Sequence, residues 1–322
     1  MVAIETVRGP VEARDLGVTL MHEHVFIRDE EIERNYPELW DEQARLDDAV
    51  ARLTALKAVG VDAIVDPTVL GLGRDIRRVM AVNERVDLHI VPATGLYTYD
   101  HVPHFFQYHG PGTLLGGEDA MVGMFVKDLT EGIAGTSVKA AFLKCAIEAE
   151  LTPGVERVFA AVAEASRRTG APITVHTSAP HGTGLVAQEY FTRAGIDPGR
   201  LVIGHCGDTA DLDYLHRLVD GGSYLGMDRF GLDIYLPMDQ RVATVATLVE
   251  EGLADRIMLS HDASCHMDWL PPGSRERLVP NWHFTHIHDD VLPALRARGV
   301  GEKQITTMLV DNPRRYLSER NV

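Results

Sequence analysis

Short apolar stretches recur along the chain, and several of them end in residues that can ligate a metal ion. Residues 139–144 (KAAFLK) are apolar between two lysines and predict a buried strand that ends at Lys144. Between such stretches, apolar residues recur every three or four positions, as in residues 46–59, which predicts amphipathic helices. This alternation of strands and helices indicates an α/β fold with a parallel sheet.

The pattern predicts eight strands that alternate with eight helices. The predicted strands span residues 17–21, 62–66, 89–95, 139–144, 173–176, 201–205, 224–228 and 256–262. The predicted helices span residues 46–59, 75–85, 118–132, 152–169, 184–194, 209–219, 238–251 and 282–298, and a further helix follows over residues 302–317. Thr152 is expected to cap the fourth helix, with Pro153 in its first position.

Strand–helix units that repeat without a break in composition predict a single (β/α)8 barrel, a TIM barrel, over residues 1–322. Lys144, His176 and His205 follow one another at intervals of about 30 residues, the length of one such unit, and Asp262 follows after about two more units. A doubly wound open sheet is the structural alternative. It is disfavoured because no GxGxxG motif follows the first strand and because polar strand ends continue late into the chain.

Composition limits the partners and the compartment. With 45% hydrophobic residues the chain can bury a large core, and no run of about 18 apolar residues predicts a membrane span. The N-terminus mixes acidic and basic side chains where a signal peptide would be apolar, and the three cysteines form no CxxC pair, so we expect a cytoplasmic protein. The net charge of −16 argues against nucleic acid and anionic membranes as partners.

The polar strand ends form a candidate metal site, because the active site of a barrel lies at the carboxyl ends of its strands. His22 and His24 are separated by one residue, so both point to the same side while Glu23 points away. The full set of candidate ligands is His22, His24, Lys144, His176, His205 and Asp262. Four histidines and a carboxylate without a thiolate suit zinc, manganese, cobalt or iron.

Lys144 is the unusual member of this set, because an ammonium group would repel the metal ions. The amine must therefore be neutral or modified, and a carbamate formed with CO2 would be anionic and could bridge two metals roughly 3.5–4 Å apart. Two other classes of function stay open at this point. A Schiff-base aldolase would use Lys144 directly and would not need the histidines. A non-catalytic binding barrel would not need a complete ligand set.

Seven segments give the chain a resemblance to a known family. They are TLMHEH (19–24), ATGLYTY (93–99), AAFLKCA (140–146), GHCGDT (204–209), GMDRFGLD (226–233), LSHDASC (259–265) and VDNPRR (310–315). They span nearly the whole chain, and together with the ligand pattern they resemble the amidohydrolase superfamily in its binuclear form. More narrowly, the chain resembles the phosphotriesterase-like lactonases of the phosphotriesterase family.

The resemblance implies two divalent metal ions per chain, with zinc expected and iron, cobalt or manganese as alternatives. One ion would be held by His22, His24, carboxylated Lys144 and Asp262, and the other by Lys144, His176 and His205. A hydroxide bridging the two ions would attack the substrate. Asp262 is the expected catalytic residue, as the group that moves the proton to the leaving oxygen.

The implied substrate is a small molecule, an N-acyl-homoserine lactone or a related lactone, with phosphotriester hydrolysis as a side activity. Tyr97 and Arg229 are implied to bind the lactone, although Tyr97 could be a core aromatic and Arg229 could pair with Asp228 or another carboxylate. Tyr97 favours a lactonase, because a dedicated phosphotriesterase has tryptophan at the corresponding place.

Seven apolar residues are expected to line a groove for the acyl tail: Phe230, Ile234, Tyr235, Leu236, Met267, Trp269 and Leu270. The loop over residues 266–279 is expected to set the acyl-chain preference. A phosphotriesterase (aryldialkylphosphatase) or a carboxylesterase is the nearer alternative for the main activity. The resemblance also implies a homodimer.

Overall fold

A computed structural model describes residues 3–318 of the chain. At its centre is a parallel sheet in which each strand pairs with the next one along the chain. The strands are β1 (Thr19–Leu20), β2 (Ala63–Asp66), β3 (His89–Gly95), β4 (Phe142–Ala146), β5 (Ile173–His176), β6 (Leu201–Ile203), β7 (Tyr224–Met227) and β8 (Ile257–Leu259). Neighbours in sequence are therefore neighbours in space.

The first and last strands meet and close the sheet. Beyond β1 the chain continues as the strand Glu23–Ile27, beyond β8 it continues as the strand Ala263–Met267, and these two continuations pair in parallel. Between the two pairings, the amide of Asp262 donates to the carbonyl of His22 at 2.9 Å. The predicted (β/α)8 barrel is therefore confirmed, and the alternative of an open doubly wound sheet is wrong.

Helices follow the strands and cover the outside of the barrel. They are α1 (Glu42–Ala58), α2 (Ile76–Asn83), α3 (Ala120–Thr130), α4 (Pro153–Thr169), α5 (Thr183–Arg193), α6 (Leu212–Asp220), α7 (Met238–Glu250) and α8 (Leu292–Ala297). As predicted, Thr152 caps α4, because its hydroxyl accepts a hydrogen bond from the Val155 amide at 3.3 Å.

Shorter elements complete the description. Short helices span Glu30–Asn35, His104–Gln107, Ser274–Leu278, Glu302–Thr306 and Asn312–Ser318, with π-helical turns at Ile287–Val291 and Thr307–Asp311 and a small antiparallel pair between Ala3–Ile4 and Val11–Glu12. Within residues 3–318, no helix is both long enough and apolar enough to cross a membrane.

The core has two parts, one outside the sheet and one inside it. The outer part lies between strands and helices and includes Phe159 of α4, and the inner part fills the barrel and includes Val65 of β2. Tyr316, on the helix Asn312–Ser318, joins the inner part and places its hydroxyl 2.9 Å from the Thr174 hydroxyl near the start of β5. This helix covers the amino-terminal end of the barrel, opposite the carboxyl ends of the strands where the predicted site lies.

The fourth strand lies further along the chain than predicted. It begins at Phe142 and continues to Ala146, so Lys144 lies in the middle of the strand and not at its end. The reason is that pairing with β5, where Ala146 lies opposite His176, sets the bounds of β4. The apolar run alone does not show where a ladder begins.

The first and eighth strands are also shorter than predicted, and each resumes after an interruption. The prediction of a loop over residues 266–279 is wrong at its beginning, because the strand Ala263–Met267 includes His266 and Met267.

The predicted helix 282–298 also begins later, at the π-helical turn Ile287–Val291. Trp282 lies before this turn. Its indole Nε1 donates to the His261 carbonyl at 2.8 Å, which holds the chain at Trp282 beside the end of β8.

Candidate metal centre

The carboxyl end of the barrel brings the predicted ligands together in one cavity. The cavity is lined by His22, His24, Lys144, His176, His205 and Asp262. The imidazole centroids of His22 and His24 are 5.4 Å apart, and those of His176 and His205 are 4.5 Å apart. All four histidines and Lys144 are at least 97% buried.

Hydrogen-bond acceptors converge at His22, His24 and Asp262. The Nδ1 of His22 donates to Oδ2 of Asp228 at 2.9 Å, and the Nδ1 of His24 donates to Oγ1 of Thr68 at 2.7 Å. Because each Nδ1 carries the proton of a neutral ring, each Nε2 keeps its lone pair. The Nε2 atoms of His22 and His24 lie 3.3 and 3.2 Å from the same oxygen, Oδ1 of Asp262. Acceptors at such distances repel one another unless a cation lies among them.

A second convergence lies at His176 and His205. The Nδ1 of His205 donates to Oδ1 of Asp228 at 2.9 Å, and the Nε2 of His176 donates to Oε2 of Glu148 at 2.7 Å. The remaining ring atoms, Nε2 of His205 and Nδ1 of His176, then face each other as acceptors at 2.8 Å. The Tyr97 hydroxyl lies 3.2 Å from the same His176 atom. The two groups adjoin each other, because ligand atoms of His22, His205 and Asp262 all lie within 4.8 Å of one another. This continuous set of donors has room for a pair of neighbouring cations.

Lys144 has the properties that a carbamate requires. Its Nζ is buried and has no hydrogen-bond partner among the described residues. Burial lowers the pKa of Lys144 to about 8, with Asp262 and Asp228 opposing the shift. The neutral amine that reacts with CO2 is therefore accessible near neutral pH. The donor set and this unpartnered amine fit a pair of divalent ions that share a carboxylated lysine.

Glycine at position 95 allows β3 to approach Lys144. Gly95 lies opposite Lys144 in the ladder, and its φ is +144°. A Cβ atom at Gly95 would lie 1.8 Å from the Lys144 carbonyl oxygen. Any other residue would push the strands apart and displace Lys144 from the site.

Burial keeps the imidazoles in the form that ligates metals. It lowers the pKa of His22, lowers that of His205 well below its usual range and lowers that of His176 to about 4. Burial would raise the pKa of Asp262, but its electrostatic surroundings, the Arg229 guanidinium among them, hold this pKa well below its usual range. At neutral pH the metal-free site therefore contains neutral imidazoles at His22, His176 and His205 and an ionised Asp262 carboxylate.

Arg229 is tied to the site by two carboxylates. Its Nε donates to Oδ2 of Asp262 at 2.9 Å, and its Nη1 donates to Oδ2 of Asp208 at 3.0 Å. Asp208 is held in turn by Arg241 at 2.8 Å. The possibility that Arg229 pairs with another carboxylate is therefore confirmed, although the partners are Asp262 and Asp208 and not Asp228. Arg229 also lines the cavity, so the predicted contact with substrate remains compatible with this pairing.

The cavity has a volume of about 270 Å³ and a mainly apolar rim. The rim includes five residues predicted for the acyl groove: Ile234, Tyr235, Met267, Trp269 and Leu270. Tyr97 and Tyr99 complete this side of the cavity. Phe230 and Leu236 do not line it, and the Phe230 side chain is buried in the outer core instead.

The sequence pattern did not indicate a role in the site for five residues that the structure places there: Asp228, Glu148, Asp208, Thr68 and Tyr99. The position of Asp228 could have indicated its role, because Asp228 directly follows β7 in the same way that several predicted ligands follow their strands. Glu148 and Asp208 lie in loops without a periodic pattern, and only the fold brings them to His176 and Arg229.

A barrel with this collection of imidazoles and carboxylates at its carboxyl end is the scaffold of a metal-dependent hydrolase. Residues 2–317 match the model of the phosphotriesterase family. The chain belongs to the phosphotriesterase family, whose members are metal-dependent hydrolases of esters and phosphoesters with binuclear metal sites. This membership leaves the Schiff-base aldolase and the non-catalytic barrel without support.

Relatives of known name cover nearly all of the chain. A "Phosphotriesterase homology protein" of Mycobacterium tuberculosis is 56% identical over 99% of both chains. An "Aryldialkylphosphatase" of Saccharolobus solfataricus is 40% identical over 97% of this chain and 98% of its own length. The solved structure of the phosphotriesterase from Mycobacterium tuberculosis matches with a TM-score of 0.97 at 55% identity, over 99% of this chain and 98% of that one.

We expect Asp228→Asn to weaken metal binding by about 10- to 100-fold, the usual effect of losing a group that orients a metal ligand. The amide offers one acceptor oxygen in place of the two that receive His22 and His205. Chelator competition with zinc measures the affinity. Asp211→Asn is the matched control, because Asp211 only caps α6 and asparagine caps equally well. An unchanged affinity in Asp228→Asn would show that Asp228 does not orient the two rings.

We expect metal-free protein to lose stability as the pH falls from 6.5 to about 4. The pKa of His176 is about 4 in the fold against 6.5 for the free group, so below pH 6.5 the unfolded chain binds a proton that the native state does not. The full loss from His176 is about 3 kcal/mol. Urea unfolding of EDTA-treated protein across this range measures it. The slope should be smaller in His176→Asn, and an equal slope would contradict the assignment.

Proposed function

We propose that the protein is a lactonase that hydrolyses N-acyl-homoserine lactones and related lactones, with phosphotriester hydrolysis as a side activity. The observation that carries this proposal is that the cavity has a polar floor and an apolar rim. Its floor is made of buried ligating side chains, while the apolar rim residues Ile234, Tyr235 and Trp269 are at least half exposed. A lactone with an acyl tail has the same division, with a polar carbonyl and an apolar chain.

The proposal assigns the six ligating side chains to two divalent ions. His22, His24, carboxylated Lys144 and Asp262 would hold one, and Lys144, His176 and His205 would hold the other. When bound, the ions would supply hydroxide at neutral pH and polarise the substrate carbonyl. Zinc is the proposed metal, with iron, cobalt and manganese as alternatives, because nitrogen and oxygen donors suit all four.

Two residues of the chain have proposed roles in the reaction itself. Asp262 is ionised and can accept a proton, while Arg229 holds its Oδ2 and leaves Oδ1 directed at His22 and His24. Asp262 would take the proton from the hydroxide that adds to the carbonyl carbon and would pass it to the ring oxygen as the bond between this oxygen and the carbonyl carbon breaks. Burial raises the pKa of Tyr97 well above its usual value. The phenol therefore keeps its proton and can donate a hydrogen bond to the substrate carbonyl.

A phosphotriesterase is the second candidate. It is favoured by the name of the relative from Saccharolobus solfataricus, an aryldialkylphosphatase. The same floor would serve a phosphoryl oxygen, so the two candidates differ in the rim and in Tyr97. We place the lactonase first because of Tyr97 and the apolar rim. The proposal also includes a single hydrolase domain over residues 1–322 and a homodimer.

A series of acyl-homoserine lactones with short to long tails tests the main activity. Zinc-loaded protein should hydrolyse them with a kcat/KM that rises with chain length, because each added methylene that reaches the apolar rim contributes about 0.8 kcal/mol. EDTA-stripped protein should be inactive, and zinc should restore the activity. An aryl dialkyl phosphate measured beside the series should be the poorer substrate. A higher kcat/KM on the triester than on every lactone would reverse the order of the two candidates.

Lys144→Ala tests the carbamate. We expect metal content to fall below two ions per chain and activity to fall by at least about 100-fold, since both proposed ion sites lose a ligand. Lys139→Ala, at the other end of the same stretch and half-buried, is the control and should keep its metal. Two ions per chain with surviving activity in Lys144→Ala would show that Lys144 is not a ligand.

A further inference from the structure

Glu23 lies between two predicted metal ligands and yet faces away from them. It begins the strand Glu23–Ile27, so its side chain points to the opposite side from His22 and His24. That side is the layer between the barrel and its helices, where Glu23 is fully buried. A carboxylate is placed there at a high desolvation cost unless it is fully hydrogen-bonded.

Four hydrogen bonds satisfy this carboxylate, and all come from the segment that follows β8. Oε1 accepts from the Ser260 hydroxyl at 2.8 Å, from the His261 amide at 2.9 Å and from His261 Nδ1 at 2.6 Å. Oε2 accepts from the Ala263 amide at 3.0 Å. Glu23 therefore joins the first strand to the last strand by its side chain.

These contacts bracket Asp262. Glu23 holds the amide before Asp262, at His261, and the amide after it, at Ala263. Asp262 itself has a φ of +57°, in the left-handed region that residues other than glycine seldom adopt. This conformation turns the Asp262 carboxylate into the cavity while its neighbours face outward. The two bracketing hydrogen bonds fix the backbone in that conformation.

His261 is itself held on every polar side. Its Nδ1 donates to Glu23, so its Nε2 is the acceptor, and it receives the Ile287 amide at 2.9 Å. Its carbonyl receives the Trp282 indole at 2.8 Å. His261 therefore links Glu23 to the segment that leads into α8.

We propose that Glu23, acting through His261, is a positioning residue that holds Asp262 in the geometry needed to bind metal. The inference rests on the proposed metal centre. Beyond the metal centre itself, we assign a role to Glu23, the residue between His22 and His24. Glu23 supports Asp262 from the side of the strand that faces away from the cavity. The competing explanation is a purely structural role, in which Glu23 contributes to stability and nothing else.

Glu23→Gln separates the two explanations. The amide can keep three of the four contacts, but its NH2 group must then face the Ala263 amide, so the support after Asp262 is lost. We expect zinc affinity, measured by chelator competition, to fall by about 10-fold or more. We also expect faster amide hydrogen exchange at Ala263 in the metal-free variant.

Asn312→Ala is the matched control for lost stability. Asn312 is fully buried and donates to the carbonyls of Ala254 and Ile257 at 2.9 and 2.7 Å, at the amino end of the same strand β8. It should lower the urea midpoint without changing zinc affinity. If Glu23→Gln lowers the urea midpoint as Asn312→Ala does and keeps wild-type zinc affinity, the positioning role is wrong.

A pair of His261 variants decides the matter if Glu23→Gln does not fold. His261→Asn keeps an N–H donor close to the position of Nδ1, whereas His261→Leu has none. We expect zinc affinity within about threefold of wild type for asparagine and at least about 10-fold weaker for leucine. Equal affinities in the two variants would overturn the proposal. Failure of the wild-type protein to bind zinc would instead contradict the proposed metal centre itself.

Discussion

The structure depends on buried imidazoles whose outer nitrogens are satisfied by protein oxygens, so that their inner nitrogens stay free. Asp228 is the central example, because its two oxygens receive His22 and His205 from two sides of the barrel. A buried carboxylate that accepts both rings fixes their tautomers and orientations together. The lone pairs that remain converge within the cavity, in an arrangement that suits a metal cation.

The barrel makes this arrangement possible by closing at two places. The helix Asn312–Ser318 covers the amino-terminal end through Tyr316, opposite the end where the cavity lies. The pairing of Glu23–Ile27 with Ala263–Met267 closes the ring of strands beside His22 and Asp262. The candidate ligands therefore come from distant parts of the sequence and yet lie on, or directly beside, strands that are hydrogen-bonded to one another. Rigidity of the strands holds ligand geometry more closely than loops would.

The sequence was sufficient for the barrel, the number and order of its strands and the gathering of the six predicted ligands into one cavity. These follow from apolar periodicity and from the rule that barrel sites lie at strand ends. The exact position of β4 could not be predicted, because an apolar run does not reveal where its neighbour begins to pair. The interruptions at His22 and Asp262 could not be predicted either, since they arise from contacts between the two ends of the chain.

The residues that hydrogen-bond to the candidate ligands and to Arg229 were the part of the site that the sequence predicted least well. Glu148 and Asp208 have no spacing relative to the strands that marks them, and only the folded loops bring them to His176 and Arg229. Glu23 was correctly expected to point away from the site, but its contacts with His261 and Ala263 involve residues more than two hundred positions away. Local patterns carry no information about such long-range partners. The prediction that Phe230 lines the groove was also wrong, because an apolar side chain in a loop can pack in the core as well as line a cavity.

The most direct test of the account is anomalous diffraction from crystals of the protein grown with zinc, with data on both sides of the zinc absorption edge. We expect two zinc peaks per chain, one beside His22, His24 and Asp262 and one beside His176 and His205, with density for a carbamate on Lys144 between them. A single peak, or none at these side chains, would contradict the binuclear centre.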